Sequence, residues 1–147
     1  MPLINFGSIL GFAEEIENQH LLLYSEAARH PQCAPSHSAF EALARGAQKR
    51  LKEVKRVRRE NVTEMILETI EGFERKAFII SLPDIATMDR KTLLAKSFEL
   101  VDRSLDFYEQ AAQRLKGQAE VARALKNLCK NHAKDRKKLE EIESEAL

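Results

Sequence analysis

Apolar residues recur every three or four positions along four stretches of this chain, the spacing of helices that bury one face. In the first stretch the stripe reads Ile9, Ala13, Glu17, His20, Tyr24, Ala27, flanked by Phe12, Ile16 and Leu23. It predicts a helix from about Ser8, as N-cap, to His30, where Pro31 and Pro35 stop it. A second helix begins near Ser36 and carries Phe40, Leu43, Ala47, Arg50, Val54 and Val57 on one face, with Leu51 beside it. After Asn61 the pattern weakens. Residues 62–88 hold Gly72, Pro83 and the apolar run Phe78, Ile79, Ile80, Leu82, and read as part helix and part crossover. The third helix starts around Asp89, repeats Leu94, Phe98, Val101, Leu105, Tyr108, Ala112, Leu115, and ends at Gly117 as a C-terminal glycine. The fourth repeats Val121, Leu125, Leu128, His132, Asp135, Leu139, Ile142.

Short connections within each pair of helices and a long one between the pairs predict two antiparallel hairpins. The expected fold is all-α, a four-helix bundle in one domain spanning 1–147: hairpin one about 8–61, crossover about 62–88, hairpin two about 89–145. The hairpins also match each other. Leu23-Tyr24-Ser25-Glu26-Ala27-Ala28 aligns with Phe107-Tyr108-Glu109-Gln110-Ala111-Ala112 at an offset of 84, and Leu43, Ala44, Arg50 and Val54 align with Leu128, Cys129, Asp135 and Leu139 at 85. Two alignments at nearly one offset point to duplication of a helical hairpin.

On these residues, and on Glu17 standing seven positions before Tyr24, the chain resembles the ferritin-like superfamily, in particular its rubrerythrin-like branch, over nearly all its length except the crossover. That branch has, in each half, a Glu seven residues before a Tyr on one helix and a Glu-x-x-His on the next. Glu and His at i and i+3 project from one helical face, and two such pairs plus two single Glu make a di-iron carboxylate cage. The resemblance implies a ferritin-like bundle and, where the ligands are intact, peroxidase or ferroxidase chemistry. Here the ligand positions depart from the pattern. Val101 stands seven before Tyr108; the Glu-x-x-His slot falls on Ala47 and Arg50 in the second helix and on His132 and Asp135 in the fourth. The expectation is a largely lost di-iron site.

Glu17, His20, Arg50, His132 and Asp135 each lie on the apolar stripe of their helix, so five polar side chains are expected to meet in the bundle. Burying them unpaired would cost several kcal/mol each, and they are expected to contact one another. One reading is an ion-pair network in which Arg50 bridges Glu17 and Asp135 with the histidines hydrogen-bonded beside them, and no cofactor. Another is a single Fe, Mn or Zn ion held by Glu17, His20, His132 and Asp135, which would support a metal-dependent oxidoreductase. A third is a register error that leaves some of these residues on solvated flanks; whether His20 faces inward is open. Tyr24 and Tyr108 are read as core aromatics donating to carboxylates such as Glu17. His30, Cys33 and His37 have a metal-like spacing, but three ligands in a Pro-containing turn are read as a loop of polar residues.

Composition adds location and partners. No apolar run reaches the ~20 residues of a membrane span, the first residues lack a basic leader, and Cys33 and Cys129 suit free thiols, so a cytoplasmic protein is expected. No Gly-rich phosphate loop, Gly-x-Ser-x-Gly elbow or Cys-x-x-Cys occurs. The net charge of +1 conceals segregation: eight cations lie between Arg45 and Arg59 against the single acid Glu53, while acids gather at Glu64, Glu68, Glu71, Glu74 and Glu140–Glu145. Without interleaved aromatics, the basic stripe favours ion pairing within or between subunits over nucleic acid. The apolar run Phe78–Leu82 is expected on the surface, covered by a second copy in a homodimer. A non-catalytic scaffold, binding or regulatory protein is the expected function.

Overall fold

The structure, a computed structural model, describes residues 5–61 and 72–145, so Glu64, Glu68 and Glu71 and the start of the expected crossover lie outside the described residues. All its regular elements are helical: α1 (Phe6–Ala27), α2 (His37–Glu60), α3 (Arg90–Arg114) and α4 (Ala119–Glu145), with short 3-10 turns at Pro31–Ser36, Arg75–Ala77 and Ile85–Thr87. The four long helices pack against each other, α1 on α2 and α3 on α4 most extensively. No helix among the described residues is long and apolar enough to cross a membrane.

Three helix ends differ from expectation, α1 also closing at Ala27, with Ala28 as its C-cap, short of His30. α1 starts before Ser8, because Asn5 is the N-cap: its Oδ1 accepts from the Ser8 amide at 2.8 Å while the Ser8 hydroxyl accepts from the Asn5 amide at 3.1 Å. This reciprocal capping box satisfies two otherwise orphaned donors, with Ser8 at its third helical position. α3 stops at Arg114 and is capped at Leu115; Gly117 does not take the left-handed conformation, which among the described residues only Gly72 adopts (φ 73°). The start of α3 matches the sequence reading, with Asp89 accepting from the Thr92 amide at 2.7 Å.

Cross-helix contacts fix the directions of the helices. Glu17 meets Arg50 and Glu14 meets Arg58, so α1 and α2 run antiparallel. Arg90 reaches Ile142 and Arg136 reaches Asp102, so α3 and α4 do too. Glu17 also meets Tyr108 and His20 meets Ser104, which sets α1 antiparallel to α3 and hence α2 parallel to α3. The chain between α2 and α3 therefore returns along the bundle, and the Arg90 amide bonds Gln32 beside the start of α2.

The returning segment lies on the α1–α3 side. Phe78 packs on Phe12 and Phe107, Phe73 stacks on Phe107, and Arg75 pairs with Glu15 at 2.8 Å. This corrects the expectation of an exposed apolar run. Phe78 and Ile80 are 3% and 4% exposed, and only Ile79 between them stays out, at 49%. Phe78 caps the 3-10 turn and joins the core cluster of Phe12 and Phe107, while Ile80 joins that of Leu23 and Leu93.

Candidate functional site

The apolar core comes in two clusters. One joins Phe6–Ile16, Val54, Val57, Phe73, Phe78 and Phe107–Leu128; the other joins Leu23–Ala47, Ile80–Val101, Leu139 and Ile142. Between them lies a polar layer: Glu17, His20, Ser104 and His132 are fully buried, and Arg50 and Asp135 are each 4% exposed. All five polar stripe residues of the sequence reading are here, so none sits on a solvated flank, and His20 faces inward.

Arg50 is held from two sides. Its Nε donates to Glu17 Oε1 at 2.7 Å, and its Nη1 ion-pairs with Asp135 Oδ2 at 2.9 Å. Glu17 Oε2 accepts from the Tyr108 hydroxyl at 2.6 Å and meets His132 Nε2 at 2.7 Å. Burial alone would raise the Glu17 carboxyl, but the neighbouring His132 and Arg50 hold it well below the ordinary carboxylate range. Burial raises Asp135 above its ordinary value against the pull of Arg50. Burial would also make Arg50 easier to deprotonate, but Glu17 and Asp135 more than offset this and keep it a permanent cation.

His20 makes a second, neutral branch. The Ser104 hydroxyl gives its proton to the Leu100 carbonyl at 2.7 Å, so at 2.8 Å it accepts from His20 Nε2. Burial, helped by His132, keeps His20 well below the usual imidazole value, and its free Nδ1 accepts from the Tyr24 hydroxyl at 3.3 Å. Tyr24 thus donates to His20 and Tyr108 to Glu17; the expectation that both tyrosines serve carboxylates holds for Tyr108 alone. The two imidazoles lie against each other, tilted by 42°, with centroids 4.5 Å apart. Ser104 was missed in the sequence because serine on a helix reads as neutral; its offset of 84 from His20, the repeat offset, was the available signal.

Repeat-equivalent positions touch one another across the layer: His20 meets Ser104, and Arg50 meets Asp135 at the offset of 85. This is what two like hairpins related by an approximate two-fold axis produce at that axis.

Glu17, His20, His132 and Asp135 share the layer but do not fit a metal ion. A guanidinium lies between Glu17 and Asp135, and His20 is committed to Ser104 and Tyr24. Among the described residues no three His, Cys, Asp or Glu side chains are arranged to hold one. Within the layer, His132 Nδ1, Arg50 Nη2 and Asp135 Oδ2 are buried without a hydrogen-bond partner. The His30, Cys33, His37 set is also committed: His30 Nδ1 accepts from the Gln32 amide at 3.1 Å, and His37 Nε2 donates to the His30 carbonyl at 2.7 Å. These bonds cap the 3-10 turn, so the segment is constrained and not a free polar loop. Both cysteines are free thiols. No family model, curated protein or solved structure matches the chain.

Proposed function

We propose that the chain is a ferritin-like bundle of the rubrerythrin kind in which an ion-pair layer has replaced the di-iron site, and that it serves as a non-catalytic scaffold or binding protein. One observation carries this reading: the Arg50 guanidinium bridges Glu17 and Asp135 at the level where a metal cage would stand. An arginine there does the electrostatic work of a cation, neutralising two buried carboxylates, and leaves no open coordination position for peroxide, oxygen or Fe(II). The helix directions and the repeat-equivalent contacts support the ferritin-like part of the proposal.

The deciding experiment is elemental mass spectrometry of the purified, untagged protein after growth with iron, manganese and zinc. The expected outcome is no stoichiometric metal and a melting temperature unchanged by chelator. About one ion per chain, lost in His132→Ala, overturns the proposal. It would make Glu17, His20, His132 and Asp135 an active-site candidate for the second reading, a metal-dependent oxidoreductase, which the unpartnered His132 Nδ1 favours.

A further inference from the structure

The returning segment covers the α1–α3 side of the bundle, and the opposite side, between α2 and α4, carries a groove of about 340 Å³. Gly46, Lys49, Arg50 and Glu53 line it from α2, and Asn127 and Asn131 from α4. Three observations converge there. Arg50, part of the buried layer, reaches this groove, and its Nη2 has no hydrogen-bond partner although Nε and Nη1 are both engaged. A guanidinium carries five donors, so binding capacity remains. Gly46 keeps the space beside the guanidinium free of a side chain: a Cβ at that position would lie 3.6 Å from Arg50 Nη1 and 4.0 Å from Asp135 Oδ1.

The third observation is the charge around the mouth. Arg45, Lys49, Lys52 and Arg56 recur at three- and four-residue spacing along the exposed face of α2 that includes a groove residue. On α4 the same spacing links Asn127, Asn131, Lys134 and Lys138, all exposed. The one acid on the rim, Glu53, is engaged by Arg56.

We propose that this groove binds a phosphate-type oxyanion, either free phosphate or the terminal group of a small phosphomonoester. Lys49 supplies charge, and Arg50 Nη2, the Asn127 amide and the second proton of Asn131 Nδ2, whose first goes to the Asn127 carbonyl at 3.1 Å, supply directed donors. The space beyond them accommodates the body of an ester. This names a ligand class for the binding protein proposed above and rests on that reading, since a metal ion in the layer would draw Glu17 and Asp135 away from Arg50.

The test is calorimetric titration of the full chain, its metal content measured on the same sample, with inorganic phosphate and with glycerol 3-phosphate in chloride of matched ionic strength. Saturable binding of at least one of them, weakened about tenfold in both Gly46→Leu and Lys49→Gln, is the expected result. Tighter binding of the ester would identify the source as an organic phosphate, and tighter binding of the free anion as inorganic phosphate. No saturable heat with either probe, or binding that neither variant weakens, overturns the site. Because the metal content is read independently, a metal-free protein that ignores phosphate sinks the groove proposal alone. A metal-loaded one sinks the function proposal.

Discussion

Arg50 stands between two carboxylates in a layer without bulk water, and its removal leaves both of them buried and uncompensated. Arg50→Ala is therefore expected to cost about 3–5 kcal/mol in urea denaturation. Arg50→Lys is expected to recover only part, because a single ammonium cannot reproduce the fork that holds Glu17 through one nitrogen and Asp135 through another. His20 gives the layer a pH dependence. An unfolded imidazole titrates near ~6.5, whereas in the fold burial keeps His20 well below that, so on acidification the unfolded chain takes up the proton first. Stability contributed by neutral His20 is full above ~6.5 and falls below it, by up to about 1.4 kcal/mol per pH unit. Urea midpoints measured from pH 8 to 5.5 should show this slope, and His20→Asn should flatten it. Glu17, depressed in the fold, adds a second loss once the pH drops below the unfolded carboxylate value near ~4.3, and Asp135, raised in the fold, opposes it. Five members of this layer were legible in the sequence because a period of 3.6 places Glu17, His20, Arg50, His132 and Asp135 among apolar neighbours, whereas Ser104 carried no such contrast. The partners were not all legible: Glu17, His20 and Tyr24 share one stripe of α1, and the stripe alone does not say that Tyr24 bonds His20 one turn away and not the carboxylate two turns away.

At the scale of elements, helix existence followed from periodicity, and the departures came where local chemistry outweighs it. Asn5 starts α1 because it forms a capping box with Ser8, which alone reads as the better cap. The run from Phe78 to Leu82 read as surface because Phe78, Ile79, Ile80 and Leu82 follow no helical period; leaving the 3-10 turn that Phe78 caps, the chain sends Phe78 and Ile80 inward and Ile79 out. Phe78→Ala is accordingly expected to cost about 3–5 kcal/mol, and Ile79→Ala less than about 0.5 kcal/mol, in matched chemical denaturation. Equal effects of the two would mean that the segment does not pack as described. Within α2, Gly46 sits in helical conformation without positive φ, and an added methyl would meet its neighbours at ordinary contact distance. Gly46→Ala is expected to stabilise the protein by about 0.5–1 kcal/mol, seen as a higher melting temperature.

For the whole molecule, the sides of the bundle are unlike: one is closed by the chain's own return, the other opens through a groove to the charged layer. The contacts between repeat-equivalent residues carry a further consequence. Were each hairpin a separate chain paired with its own copy, the axis would bring every residue there against itself. Arg50 would face Arg50 in one such pair, and Asp135 would face Asp135 in the other, two buried like charges in either case. Joining the hairpins in one polypeptide removes that constraint. The two halves can diverge in opposite directions, one becoming basic and the other acidic at the same structural position, and the core becomes a lock that neither half can close with a copy of itself.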